Sequence, residues 1–210
     1  VQNILGSHDT ERIASSVVNP DRWIDHANNL KYNPEFQVRK PNKDEQNIQK
    51  MMVAFQFLFP GAPYIYYGDE VGMWGADDPD CRKPMLWEEF DYDDETTHPR
   101  GLERGRDSIS PDYQLKAFYK QMINLRNSHL CLQKGNYRVL HADDDKELFI
   151  FSRSFEAETI IGVFNLSKER QSLDLEALTQ LSYCKPLAES EYSDKNIAPQ
   201  SYQIWECTNG

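Results

Sequence analysis

Two segments in the first two thirds of the chain carry apolar residues at helical spacing. The first starts at Asn42, which forms a candidate capping pair with Glu45, and it ends at the PG dipeptide at positions 60 and 61. The second starts with Ser110 as the expected N-cap and Pro111 as the first helical residue. The apolar stripes that predict the two helices consist of Ile48, Met51, Met52, Phe55 and Leu58, and of Leu115, Phe118, Tyr119, Met122 and Leu125.

Two short apolar runs flank the first predicted helix. VQNIL at residues 1–5 and APYIYYGDE at residues 62–70 have the composition of short buried strands that end in polar residues. Strand, helix and strand within about 70 residues make the unit of a parallel sheet. Residues 14–43 carry three prolines and predict an irregular excursion, and a long loop rich in Asp, Pro and Gly is expected at about 68–109.

From about residue 134 the pattern changes from helical spacing to alternation. Short alternating runs, separated by turn-rich segments, lie at 137–141, 147–153, 159–167, 171–175, 182–187 and 201–206. Such spacing is typical of an antiparallel sandwich or a Greek-key module. We therefore predict a boundary near residue 133, with one domain over residues 1–133 and a second, antiparallel β domain over residues 134–210.

Composition and charge narrow the class of protein. The chain is 39% apolar and 12% aromatic, which is typical of a globular protein. Its formal net charge is -11, and because phosphate binding needs clustered Lys and Arg, we expect neither a nucleic-acid partner nor an anionic-membrane partner. No apolar run approaches about 18 residues, so no bilayer span is predicted. The four cysteines show no CxxC spacing, so neither a zinc site nor a dense disulfide framework is signalled, and the compartment stays open.

Two motifs, in order and about 60 residues apart with a predicted helix between them, resemble those of a known family. They are SHDTER at residues 7–12 and FLFPGAPYIYYGDEVGMWGADDPDCRKPMLW at residues 57–87. Together they resemble the α-amylase family, glycoside hydrolase family 13, and within it the neopullulanase and cyclomaltodextrinase group. The resemblance implies an α/β plus all-β fold. Residues 1–133 would be the C-terminal part of a (β/α)₈ TIM barrel, its last two βα units, and an antiparallel β-sandwich domain would follow.

The resemblance also implies roles for four residues. Asp9 would be the carboxylate that stabilises the cationic transition state, and His8 would donate to a neighbouring sugar hydroxyl. Asp78 and Arg82 match positions that contact sugars on the nonreducing side of the cleaved bond. A purely structural reading stays open for both pairs. His8 and Asp9 could belong to a capped turn, and Asp78 with Arg82 could be an internal ion pair that orders the loop.

The function implied by the resemblance is hydrolysis of α-glucosidic bonds in maltooligosaccharides, cyclodextrins, pullulan or starch by a retaining mechanism. The nucleophile and the proton donor would lie on the fourth and fifth barrel strands, which precede residue 1. We therefore expect a C-terminal fragment that is inactive alone and that either self-associates through exposed barrel edges or keeps its first strand disordered. No cofactor and no metal are expected. Two alternatives stay open: a noncatalytic carbohydrate-binding or structural β module, and an amylase-like scaffold that has lost catalysis.

Several further polar residues draw structural expectations. Glu11 and Arg12 are expected to form an exposed ion pair. Asp69 and Glu70, in the YYGDE stretch, could form a catalytic dyad, but they are expected to serve loop architecture, and His98 is expected to face solvent. For Trp74 and Trp87, packing under the long loop is favoured over stacking on a sugar face.

Overall fold

The computed structural model describes residues 1–20, 28–98, 101, 103–179, 183–187, 193 and 195–208. The chain divides into two compact units, and each unit consists of segments that are not contiguous in the sequence. The loop-rich unit comprises Gln2–Lys50 and Pro63–Lys120, and the β unit comprises Val1, Met51–Ala62 and Gln121–Gly210. The domain boundary that the sequence predicts near residue 133 stays a prediction. Three of the predicted segments extend into undescribed residues, namely 21–27 of the irregular segment, 99, 100 and 102 of the long loop, and 182 of the fifth alternating run.

The loop-rich unit contains few regular elements. Its strands and helices, three of which are shared with the β unit, are β1 (Gln2–Ile4), α1 (Ile13–Val18), α2 (Lys43–Leu58), β2 (Ala62–Tyr64) and α3 (Tyr113–Ser128). Strands β1 and β2 form a two-stranded sheet. Within the described part of the chain, none of the helices combines the length and the apolar character that a bilayer crossing requires.

Strand β2 is shorter than the apolar run that predicts it. The run continues to residue 70, but the strand ends at Tyr64 and a 3₁₀ turn occupies Asp69–Val71. Gly68 and Gly72, on either side of that turn, have φ angles of 87° and 79°. Such left-handed backbone is readily available only to glycine and cannot continue a strand, so the glycines end the extended run and turn the chain into the loop.

Local capping starts both long helices, and one of the two predicted caps is wrong. The amide of Glu45 donates to Asn42 Oδ1 at 3.0 Å and the amide of Asn42 donates to Glu45 Oε2 at 2.7 Å, which confirms the capping pair of α2. Helix α3 begins at Tyr113 rather than at Pro111. Its cap is Asp112, whose Oδ1 accepts the amide of Leu115 at 2.9 Å, and not Ser110. The carboxylate of Asp112 provides a cap two residues later in the sequence.

The β unit is built on antiparallel pairing. Its remaining elements are α4 (Leu130–Lys134), β3 (Asn136–Asp143), β4 (Leu148–Phe155), β5 (Glu158–Asn165), β6 (Gln171–Ser172), α5 (Leu175–Thr179), β7 (Tyr183–Pro186), β8 (Asn196–Ile197) and β9 (Ser201–Thr208). Five strands form one sheet in the order β3-β4-β5-β9-β7, and β6 pairs with β8. The alternating pattern is thereby confirmed as an antiparallel sheet, whereas the two-sheet sandwich stays a prediction. A disulfide joins Cys184 and Cys207, which face each other on β7 and β9.

The two faces of the five-stranded sheet bury different side chains, as the period of two requires. On one face, an aliphatic core comprises Leu148, Ile150, Ile161, Val163, Leu173, Leu175, Ile197 and Trp205. On the other face, the centroid of the Phe55 ring of α2 lies 5.7 Å from the ring centroid of Phe151 and 5.4 Å from that of Phe164. Edge-to-face contacts of this kind contribute stability beyond that of the apolar area that the rings bury.

Two arginines satisfy the carbonyl end of α2 within the β unit. The guanidinium of Arg153 donates from Nη1 to Leu58 O at 2.8 Å, and that of Arg126 donates from Nη1 to Phe57 O at 2.6 Å. The last carbonyls of a helix have no partner inside the helix, and a cation there also complements the helix dipole. Burial lowers the pKa of both arginines. The positive charge of Arg153 lowers the pKa of Arg126 further.

Candidate active site

The structure brings all four predicted site residues together in the loop-rich unit. Arg82 is the centre of the group, because its Nε lies 3.0 Å from Asp78 Oδ1 and its Nη2 lies 3.3 Å from Asp9 Oδ1. The same Nε donates to the backbone carbonyl of His8 at 2.9 Å. On its other side, Asp9 Oδ2 lies 3.0 Å from His8 Nε2. One guanidinium therefore connects two loops that are 73 residues apart in the sequence.

A polar turn after β1 presents His8 and Asp9. The amide of Ser7 donates to Thr10 Oγ1 at 3.0 Å, and the amide of Asp9 donates back to Ser7 Oγ at 3.1 Å. Short hydroxyl side chains that bond to neighbouring amides hold such turns without helix or sheet. SHDTER therefore does form a turn held by side-chain to backbone hydrogen bonds. The side chains of His8 and Asp9 do not take part in these two hydrogen bonds.

The second loop is shaped by a close backbone approach at Gly75. A Cβ at this position would lie 2.4 Å from the carbonyl oxygen of Asp80, so only glycine fits. The amide of Ala76 donates to Asp80 Oδ2 at 2.8 Å, and a 3₁₀ turn over Asp80–Arg82 follows. Between the loops, the thiol of Cys81 donates to the carbonyl of His8 at 3.4 Å, and burial raises the pKa of this thiol to about 11. Cys81 is thus a neutral donor that ties one loop to the other.

The four side chains form an open polar surface. The side chain of Asp9 is 68% exposed and that of Arg82 is 45% exposed. Ion pairs at this exposure contribute little to stability, because water solvates both partners in either arrangement. The same exposure makes their hydrogen-bonding groups exchangeable. Two carboxylates can accept from hydroxyls while the guanidinium and the imidazole donate, which is the set of groups that a sugar ring with vicinal hydroxyls requires.

A buried ion pair lies in the same unit, and here the expectation of an exposed pair is wrong. The Arg12 side chain is 0% exposed, its Nη1 lies 3.0 Å from Asp69 Oδ1, and the same nitrogen donates to Tyr67 O at 2.7 Å. The guanidinium also lies 4.6 Å and 4.9 Å from the ring centroids of Tyr66 and Tyr67. Burial raises the pKa of Asp69 to about 7, although Arg12 acts in the opposite direction.

Glu11 does not pair with Arg12 within the described residues. Its carboxylate accepts from Ser16 Oγ at 3.1 Å and from the Asn28 side chain. No spacing rule could have found the Arg12 pair, because 57 residues separate it from its carboxylate partner. The nearest local signal is the YYGDE stretch, in which an acid follows two aromatic residues.

Two further expectations for the loop also need correction. His98 is buried rather than solvent-facing, and burial lowers its pKa. The charged residues Asp80, Lys83 and Glu95 of the same loop also act on the pKa of His98. Trp74 is buried, as expected, whereas Trp87 is 53% exposed and does not pack under the loop.

Comparison with known proteins places these residues in a family. The alpha-amylase catalytic domain matches residues 1–135. Neopullulanase 2 from Thermoactinomyces vulgaris is 34% identical over 174 residues, which is 83% of this chain and 22% of that protein. The cyclomaltodextrinase from Thermoanaerobacter pseudethanolicus is 34% identical over 173 residues, which is 82% of this chain and 22% of that protein. The chain thus spans about 22% of the length of these relatives.

Solved structures agree with this match. The maltogenic amylase from S. marinus superposes with a TM-score of 0.62 at 25% identity, over 98% of this chain and 22% of that chain. An Anoxybacillus α-amylase superposes with a TM-score of 0.65 at 19% identity, over 100% of this chain and 38% of that chain, which supports the fold alone. The chain therefore carries part of the TIM-barrel amylase fold, and it belongs to the α-amylase family, glycoside hydrolase family 13, with the neopullulanase-like group as its relatives.

Proposed function

We propose that this chain supplies part of the substrate-binding cleft of a retaining glycoside hydrolase that acts on α-glucosidic bonds. The observation that carries the proposal is the bridge from Arg82 to Asp9 and Asp78, beside His8, on two loops of the loop-rich unit. An ion pair that only ordered the loop would need one carboxylate. Here one guanidinium holds two carboxylates and leaves oxygens of both exposed to a ligand.

Each residue has a distinct role in the proposed reaction. Asp9 stabilises the positive charge that develops at the anomeric carbon when the glycosidic bond breaks, because a fixed carboxylate lies beside the distorted ring. His8 donates to a hydroxyl of the same ring. Asp78 accepts from, and Arg82 donates to, hydroxyls of the neighbouring sugar on the nonreducing side. The contact of 3.0 Å between His8 Nε2 and Asp9 Oδ2 holds the imidazole beside the carboxylate.

The position of this chain in a barrel explains why it would not hydrolyse a substrate by itself. We place residues 1–133 as the last two βα units of a (β/α)₈ barrel and residues 134–210 as an antiparallel β-sandwich domain. Retaining glycosidases need a nucleophilic carboxylate and a proton-donating carboxyl group roughly 5 Å apart. In the proposed arrangement both come from residues outside this sequence. The relatives, of which the chain spans about 22%, support this reading.

The proposed substrates are maltooligosaccharides, cyclodextrins, pullulan or starch, as the names neopullulanase and cyclomaltodextrinase suggest for the relatives. The reaction needs no organic cofactor, and the net charge of -11 disfavours a nucleic-acid partner. We infer self-association of the isolated chain from strand β1, because Ile4 is half exposed and, among the described residues, the sheet that β1 joins has two strands.

The test is Asp9→Asn in the complete enzyme that contains this chain. We expect kcat on maltooligosaccharides to fall by about 10³-fold or more, because the amide cannot stabilise the developing charge, with an unchanged unfolding midpoint. Glu35→Gln, an exposed carboxylate on another loop, serves as the matched control and should leave kcat unchanged. Near-normal turnover of the Asp9→Asn enzyme would refute the role of Asp9. An enzyme whose wild type binds maltooligosaccharides without cleaving them would favour the binding module or the inactive scaffold.

A further inference from the structure

A second group of chemically active side chains lies in the β unit, away from the residues of the candidate active site in sequence. It consists of His129, Glu158 and Glu206, each of which offers one ligand atom, and these atoms all lie within 4.8 Å of one another. His129 Nδ1 lies 2.6 Å from Glu158 Oε1. Across the residues that the structure describes, this is the one group of three or more His, Cys, Asp or Glu side chains with such spacing. We call it the His129 cluster.

The strand register brings the two carboxylates onto one face of the sheet. Glu206 on β9 pairs directly with Ile160 on β5. Glu158 is two residues before Ile160 on the same strand, so both side chains point to the face that Glu206 occupies. Glu158 and Glu206 are therefore diagonal neighbours, close enough to interact. Two partly buried negative charges at this distance repel each other unless a positive charge lies between them.

The ligand atoms are held by groups outside the cluster. Glu158 Oε2 accepts the backbone amide of Cys131 at 2.9 Å, which fixes the carboxylate and leaves Oε1 facing His129. Glu206 lies on β9, which is paired on both sides, with β5 and with β7. The next residue, Cys207, is joined to Cys184 by the disulfide. Outer contacts that orient ligands in this way are a regular feature of metal sites in proteins.

A competing cation lies beside Glu206. Lys185 Nζ lies 2.6 Å from Glu206 Oε2, and its side chain is half exposed. The simplest alternative is therefore two ion pairs, His129 with Glu158 and Lys185 with Glu206. A metal ion would displace a solvated ammonium, which costs little at such exposure, and would satisfy both carboxylates at once.

From this geometry we propose that His129, Glu158 and Glu206 bind a divalent transition-metal ion of the Zn²⁺ type, with water completing the coordination. One imidazole and two carboxylates match the ligand preferences of Zn²⁺ and Co²⁺. Ca²⁺ fits poorly, because it takes six to eight oxygen ligands. The bound ion would join the segment before α4 to strands β5 and β9, so its role would be to stabilise the β unit.

Binding of Co²⁺, a coloured substitute for Zn²⁺, tests the proposal on the 210-residue chain. We expect a visible absorption band that saturates at one Co²⁺ per chain and that Zn²⁺ abolishes by displacement. His129→Gln should weaken Co²⁺ affinity at least about tenfold, because it removes a ligand. Lys185→Met should strengthen it, because it removes the competing ammonium. An ion-pair network without a metal would not produce these opposite changes.

His141→Gln is the matched control, since His141 also lies near a carboxylate, at 4.0 Å from Asp143, but belongs to no such cluster. It should leave Co²⁺ affinity unchanged. If His129→Gln fails to fold by circular dichroism, Glu206→Gln replaces it, with the same expected loss. Zn²⁺ should also raise the thermal unfolding midpoint of the wild type but not of the ligand variant. Equal Co²⁺ affinity in the wild type and the ligand variants, or no Co²⁺ binding by the wild type, would overturn the proposal.

Discussion

Two arginines of the loop-rich unit make nearly the same bonds in opposite environments. Arg82 contacts the carboxylates of Asp9 and Asp78 and a backbone carbonyl, and its side chain is 45% exposed. Arg12 contacts the carboxylate of Asp69 and a backbone carbonyl, and its side chain is 0% exposed. Bond type alone therefore does not separate the arginine that we propose to bind a ligand from one that serves architecture. Exposure does, because only solvated partners can be exchanged for sugar hydroxyls at small cost.

The buried arginine has no such freedom. Its Nε and Nη2 are buried and make no hydrogen bond within the described residues. The aromatic faces of Tyr66 and Tyr67 partly replace water around the guanidinium. The left-handed glycine at position 68 keeps the chain close to it, because a Cβ there would lie 3.3 Å from Arg12 Nη1 and 2.2 Å from Met73 Sδ. Arg12 therefore fixes the backbone of the YYGDE turn rather than binding a ligand.

The largest effect that we expect from this comparison is the loss of stability in Arg12→Met. Removing one partner of a buried ion pair leaves an uncompensated charge, so the free energy of unfolding should fall by about 3–5 kcal/mol at pH 8. The loss should be smaller at pH 5.5, because Asp69, with a pKa of about 7, is then mostly protonated and needs no counter-charge. Urea unfolding of the 210-residue chain at both pH values, followed by circular dichroism, measures the difference.

The stability of the wild type should also depend on the protonation of Asp69. The folded pKa of Asp69 is raised above its unfolded value, so the folded state binds more protons between about pH 4 and pH 7. Its contribution therefore makes stability decline as the pH rises through that window and level off above it. Asp69→Asn, which does not titrate, should remove this contribution to the slope. A loss in Arg12→Met that is equal at pH 5.5 and pH 8 would show that Asp69 is ionised throughout.

These residues also show what a sequence can and cannot predict. The Asn42 and Glu45 cap is local, so three residues of spacing were enough to predict it. The α3 cap was misplaced because two acceptors, Ser110 and Asp112, compete within three residues. Arg12 was misjudged because its burial depends on tyrosines and an aspartate more than 50 residues away. Local rules contain no information on such partners.

The candidate site and the His129 cluster are also assembled by contacts between residues far apart in the sequence. His8, Asp9, Asp78 and Arg82 were predicted from motifs that resemble a family, and no rule of periodicity or charge would have paired the two loops. His129, Glu158 and Glu206 show no metal-ligand spacing in the sequence. They meet only because the register places Glu206 opposite Ile160 and because Glu158 bonds to the start of α4. Tertiary packing, which the sequence pattern does not specify residue by residue, brings them together.

The second expected effect is functional and concerns Arg82→Met. Loss of a charged hydrogen-bond donor to a sugar hydroxyl costs about 1.5–3 kcal/mol, so kcat/KM of the complete enzyme on maltooligosaccharides should fall about 10- to 100-fold. Its free energy of unfolding should change by less than about 1 kcal/mol, because the pairs it loses are exposed. Steady-state kinetics and urea unfolding of the same preparation test both statements. A stability loss as large as that of Arg12→Met, with unchanged kinetics, would make Arg82 architectural as well.

The smallest expected effect is the coupling between Arg82 and Asp78 in the folding of the 210-residue chain. A double-mutant cycle of Arg82→Met and Asp78→Asn should give a coupling of about 0.2–1 kcal/mol in the free energy of unfolding, the range of exposed ion pairs. The equivalent cycle of Arg12→Met and Asp69→Asn should give several times more at pH 8, because neither buried partner can turn to water when the other is removed. Equal couplings in the two cycles would mean that exposure does not distinguish these arginines. In that case the loop around Asp78 would be held by its ion pair, and the sugar subsite proposed there would lose its physical basis.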